Sequence, residues 1–304
     1  MTLFVSLTVA GISVGVLYGI LAITLVFVYR TSGVLNLAQA GLSALAATMY
    51  GVLIVDNGYS VPLAVLITIL IGLGYGLLSF LVVEYVVRDN SPLNQTIALL
   101  GILVATIAVM AIFDINDRQA APPLVHGPAV KIGAMFVSRH EMASFAIGLL
   151  MAFGLQALLT RTRMGTAMRA MAESRRGSLY CGISLPLVSL TLWLLTGVLV
   201  SIGGVLLSPL VSPTGPNLVS VLVIALGAAT FGGLVKFPQA FAGGIILGVI
   251  TSLSALYVPV LGLRDALPAI LVLPLMALAP NGIGLDGLRR LGGLLGGESS
   301  AGAR

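Results

Sequence analysis

Charged side chains are so thinly spread along this chain that the gaps between them limit what it can fold into. No charge stands in residues 1–29, 31–55, 57–83, 90–113, 142–160, 177–235, 237–263 or 266–285. A helix that crosses a bilayer needs about 20 mostly apolar residues, so all but one of these stretches fit one span each. The stretch 177–235 holds two, because Ser208-Pro209-Leu210-Val211-Ser212-Pro213-Thr214-Gly215-Pro216-Asn217 breaks it with a turn or re-entrant segment. The pattern predicts an all-α, polytopic membrane protein of about nine transmembrane helices, eight to ten once Pro and Gly inside spans are allowed for. Only 8% of the 304 residues are charged, against roughly 25% in soluble domains. That deficit excludes an ordinary soluble fold, and a mean hydropathy of +1.12 excludes disorder.

The few charges also orient the chain. With the N-terminus outside, the inner loops hold Arg30, Arg88, Arg161, Arg163, Arg169, Arg175, Arg176, Lys236, Arg289, Arg290 and Arg304. The outer loops hold Arg118, Lys131, Arg139 and Arg264. Lys and Arg collect on the cytoplasmic side of membrane proteins, so this sequence predicts N-terminus out and C-terminus in. The net charge of +5 is thereby read as topology rather than as a nucleic-acid surface. No basic n-region precedes the first apolar stretch, so that stretch is expected to be an uncleaved span.

Three regions organise the chain: a transmembrane domain over 1–285, an outer loop over 114–141 and an inner loop over 161–184. A Gly/Ser-rich cytoplasmic tail, expected to be flexible, follows over 286–304. Alternation at Val130-Lys131-Ile132 is compatible with a small hairpin in the outer loop. Glycines at Gly11, Gly15 and Gly19, at Gly72 and Gly76, and at Gly244 and Gly248 keep four-residue spacing, which lets helices approach closely in lipid. The pairs Gly203-Gly204, Gly232-Gly233 and Gly243-Gly244 suit broken helices or tight turns.

Several chemistries are missing. The two lysines, Lys131 and Lys236, follow no phosphate-cradling glycine run. Cys181 is the single cysteine, which excludes a disulfide framework and a cysteine metal cluster. No metal-spaced cluster or catalytic triad is evident in a span, so the chain is not read as an enzyme and no cofactor is expected. Glu84 is the exceptional ionisable residue near a span, and Arg88 four positions on is its expected partner. A path with so few charges suits a neutral or zwitterionic solute, moved with energy from another chain.

Residues 166–180 are rich in Ala, Met, Leu and Arg and contain no Pro, which predicts one short inner helix, with Gly165 before it and Gly182 ending it. It reads either as a plain basic loop or as a lever for a soluble partner. Asn36 and Gln39 read either as a path-lining pair or as a helix cap near the inner surface.

Here the chain resembles the branched-chain amino-acid ABC transporter permeases. Arg169-Ala170-Met171-Ala172-Glu173 followed by Gly182-Ile183 is similar to the loop that docks the ATP-binding subunit in that family. Gly15, Tyr18 and Ala22 with Asn36-Leu37-Ala38-Gln39 resemble its first span and following signature. Glu84 with Arg88 and Pro92-Leu93, then Pro213 to Gly215, Gly232-Gly233, Gly243-Gly244, Gly248 and Pro280-Asn281-Gly282-Ile283-Gly284, continue the likeness in order. Departures are Leu37 for an aromatic, the residues Ala40 and Gly41, Lys236 after the paired glycines and Ala279 before Pro280. The resemblance implies the permease subunit of an importer in a bacterial inner membrane. It further implies a coupling site at Gly165, Arg169, Ala170, Ala172, Glu173, Gly182 and Ile183. Expected partners are cytoplasmic ATP-binding subunits, a second permease subunit, identical or homologous, and an extracytoplasmic solute-binding protein. The same likeness admits urea, amides or sugars as solutes, and composition alone also admits an ion-driven carrier or channel.

Overall fold

The computed structural model describes residues 2–88, 91–112, 122–125, 127, 130–132, 135–209, 215–257 and 270. Helices occupy eight of the nine expected span positions: α1 (Thr2–Ser32), α2 (Ala38–Gly51), α3 (Val61–Leu81), α4 (Pro92–Ile112), α5 (Arg139–Arg161), α8 (Leu185–Leu207), α9 (Gly215–Phe231) and α10 (Phe237–Tyr257). Seven are long and apolar enough to cross a membrane, and the apolar part of α9, Ser220–Phe231, is shorter. The ninth expected span, 266–285, apart from residue 270, and the tail 286–304 lie outside the described residues. So do the break at 210–214 and most of the polar part of the outer loop. Two short helices, α6 (Arg163–Glu173) and α7 (Arg175–Tyr180), follow α5 in the stretch expected to be the inner loop. The expected hairpin is present as β1 (Val130–Ile132) and β2 (Met135–Val137), antiparallel with Lys131 opposite Phe136.

The helices sort into two groups around two glycine seams. α1 runs against α10, with α5 and α9 beside them, and α8 runs against α3, with α2 beside it and α4 packed on α2. In the first seam an added Cβ at Gly15 would lie 2.7 Å from Cα of Ile245, and one at Gly11 equally close to Cα of Val249. In the second, a Cβ at Gly76 would lie 2.5 Å from the carbonyl oxygen of Trp193. Helices in lipid gain little from burying apolar surface against one another, so backbone approach of this kind supplies the packing. The span in α1 is 89% buried, against 28% in α3 and 33% in α4 and α5. α1 is therefore the central post, and the peripheral helices present Leu66, Leu70, Leu100, Val104 and Leu150 outward.

Two of the three glycine pairs differ from expectation. Gly203-Gly204 sits inside unbroken α8, where Gly204 packs on Ser43 and Ala46 of α2, and Gly243-Gly244 sits inside α10. Close approach, not a break, explains both. Gly232-Gly233 does form a tight turn, with Gly233 at φ 59°.

Polar tethers close the two ends. His140 Nε2 lies 3.0 Å from the Leu206 carbonyl, while Nδ1 accepts from the Leu124 amide at 3.3 Å, which fixes the outer loop to the end of α8. Ser138 and Glu141 form a capping box at the start of α5. At the Arg-rich end, Arg30 donates to the Val235 carbonyl at 3.0 Å and lies over the Phe237 ring.

Candidate functional site

The inner loop is two helices rather than the single one expected. The chain stays helical from Arg163 to Glu173, turns extended at Ser174 (φ −156°, ψ 110°) and resumes at Arg175. Ser174 accepts from the Gly177 amide at 3.0 Å, so it caps α7, while its own amide donates to Ala170 and closes α6. A serine that bonds its own backbone in this way competes with continuous helix. Gly165 also differs from expectation: it lies within the first turn of α6, with its amide donating to the Thr162 hydroxyl at 3.0 Å. An added Cβ there would lie 2.6 Å from Cα of Leu159, so only glycine lets α6 fold back onto α5.

The helical period splits α6 into two faces. Gly165, Met168 and Met171 are buried against the bundle, whereas Arg169, Ala172 and Glu173 are exposed and Ala170 is half-buried. α7 adds Leu179, 54% exposed, and Tyr180, 91% exposed. Gly182 (φ 75°) ends α7, donating to the Leu179 carbonyl, and Ile183 donates to that of Ser178. Arg169, Ala172, Glu173 and Gly182 are thus each exposed, and Ala170 and Ile183 are half-buried. Leu179 and Tyr180 are exposed too, and no local pattern marks them in a chain where such residues are common.

Glu84 has a second partner beside the expected Arg88. It stands in a π-helical turn, Val82–Val86, that continues α3, and it is 1% exposed. Arg88 approaches only to 3.9 Å. The close partner is Arg175, whose guanidinium donates to both carboxylate oxygens at 2.7 and 2.9 Å. No local spacing signals that pairing, because 91 residues separate the two.

Asn36 and Gln39 meet at the start of α2, but neither caps it. Leu37 holds the capping position and no side chain bonds there. Nor is this point at the surface: the Ala38 carbonyl accepts from the Tyr75 hydroxyl at 3.0 Å, and Tyr75 lies about 16 Å along α3 from Val86 at 1.5 Å per residue. Residues 33–37 thus thread back into the protein without helical bonds. Irregular backbone at membrane depth is tolerated where it is buried in protein or lines a cavity. Gln39 accepts from the Thr24 hydroxyl at 2.9 Å and donates to the Leu21 carbonyl at 3.2 Å. Asn36, 4% exposed, has an Oδ1 with no hydrogen-bond partner among the described residues. Among those residues no group of three or more His, Cys, Asp or Glu could hold a metal ion.

Comparison with known proteins agrees with this architecture. Residues 7–276 match the family described as branched-chain amino acid transport system / permease component. The chain is 26% identical to the high-affinity branched-chain amino acid transport system permease protein BraD of Pseudomonas aeruginosa, over 81% of this chain and 85% of that protein. It is 24% identical to the corresponding LivH of Escherichia coli, over 90% and 92%. To the probable LivH of Methanocaldococcus jannaschii it is 26% identical, over 88% of each. No solved structure matches the chain. With the family match spanning nearly every helix described above, this chain is a member of the branched-chain amino acid transport permease family.

Proposed function

We propose that the chain is the permease subunit of an ABC importer and forms the translocation path for amino acids, branched-chain ones foremost. The observation that carries this reading is the family match over a bundle with almost no buried ionisable side chain. Such a path needs an external energy source, and the exposed face of α6 and α7 is where a soluble ATP-binding subunit docks. Arg169, Ala172, Glu173, Tyr180 and Leu179 form the docking face, Gly165 seats it on α5, and Gly182 and Ile183 join it to α8. A second permease subunit, identical or homologous, covers the exposed apolar sides of peripheral helices, and an extracytoplasmic binding protein delivers solute at the hairpin end. The N-terminus lies outside and the C-terminus in the cytoplasm of a bacterial inner membrane.

Asn36 and Gln39 mark the path, where the unpaired Asn36 oxygen offers a buried acceptor to a passing ammonium group. The test is purification from native membranes followed by leucine uptake in proteoliposomes. An ATP-binding subunit should copurify, and uptake should require it and ATP. Uptake by the chain alone under an ion gradient would instead make it a carrier.

A further inference from the structure

Glu84 is the one acidic side chain that is buried among the described residues. Burying an ion pair costs desolvation that its attraction barely repays, so such a pair is poor evidence of a stabilising role and better suited to fixing register or switching. This pair also sits at an unusual backbone feature. The π turn Val82–Val86 puts Glu84 below the bundle surface, and single π turns are frequent at functional sites. Gln95 of α4 donates to the carbonyls of Val87 and Arg88, each at 3.3 Å, so the same turn is anchored from a second helix.

The two inner helices rest on the bundle in different proportions. α6 packs chiefly on α5 and α1, through Gly165 against Leu159 and through Met168 and Met171 in the core, and also touches α8. α7 packs on α8 and reaches α3 through Arg175. Ser174 is the break between them. We propose that Glu84 and Arg175 are positioning residues for energy coupling: they tie α7 to α3, so a force on the inner loop moves the α3–α8 group against the α1–α10 group, with Ser174 as the articulation. This proposal rests on the docking of an ATP-binding subunit at the inner loop. Arg175 reaches both carboxylate oxygens through one terminal nitrogen, Nη2, in charge-assisted hydrogen bonds that hold the two helices together. Arg88, whose side chain is 51% exposed and 3.9 Å away, is the longer and more solvent-screened partner.

The test uses the assembled transporter, with leucine uptake per ATP hydrolysed as the readout and Gly165→Leu as the reference for docking. Glu84→Gln and Arg175→Gln should each lower that ratio at least tenfold while the ATP-binding subunit stays bound and hydrolysis continues. Glu84→Gln/Arg175→Gln, which strands no charge, should keep the wild-type thermal midpoint and be no more than about twofold worse than either single variant. Arg175→Lys should fall between, and Arg88→Gln should leave the ratio unchanged. If the single variants insert poorly, the double variant still decides the matter. A wild-type ratio in the double variant, with Gly165→Leu uncoupled, overturns the tie and leaves the docking reading standing. A wild-type ratio in Gly165→Leu overturns the docking reading and the tie with it. Losses that multiply between Glu84→Gln and Arg175→Gln also overturn the tie.

Discussion

Asn36 and Gln39 stand three residues apart in one buried turn, yet their energetic situations are opposite. Gln39 is satisfied on both sides of its amide by Thr24 and Leu21 of α1, so Gln39→Ala removes two buried hydrogen bonds between α2 and α1, although the Thr24 hydroxyl still donates to the Leu21 carbonyl. That change should destabilise the protein by about 1–3 kcal/mol. Asn36 carries a buried oxygen with no partner among the described residues, and its replacement by Ala should leave the thermal midpoint within a degree or two while lowering leucine uptake. Thermal unfolding in detergent, run beside uptake, separates the two. Equal loss of stability in both variants would remove the argument that Asn36 is kept for solute. Both residues were legible in the sequence as polar groups in an apolar setting. Their depth was not, since it depends on residues 33–37 turning back inward, a path that no local pattern announces.

At the scale of elements, α6 is held by a glycine that permits no substitute. Gly165→Leu must push α6 away from Leu159, where even a Cβ would approach to 2.6 Å of a backbone atom. The helix itself should persist, because Leu is a better helix former than Gly by nearly 1 kcal/mol. The expected outcome is a protein that inserts and binds its ATP-binding subunit weakly, seen as at least a fivefold loss of copurification. Arg169→Glu, on the exposed face, should reduce copurification without altering the thermal midpoint. Composition predicted helix over 166–180, and most of that range is helical. It missed the break because Ser174 is a tolerable helix residue by propensity. The hydrogen bonds that it makes to its neighbours' backbone decide the bend.

The molecule as a whole offers its own topological label. Cys181 is exposed and is the single thiol of the chain. A membrane-impermeant maleimide should therefore label inverted vesicles and spare intact cells. Labelling of intact cells would reverse the proposed orientation. The charge count that orients the chain uses side only and needs no coordinates, because insertion sorts Lys and Arg by loop before the bundle packs.

From the sequence alone came the helical class, the span positions, the four-residue glycine spacing and the family signature. Each is set by the hydrocarbon thickness or by local order along the chain, and both are written in one dimension. Tertiary structure alone decided which glycines face which, that α1 is the central post, and that Arg175 joins Arg88 as a closer partner of Glu84. Those outcomes depend on how helices distant in sequence approach one another. In a bilayer that approach is decided by shape and by buried polar groups seeking partners, not by the apolar pattern nearly all the spans share.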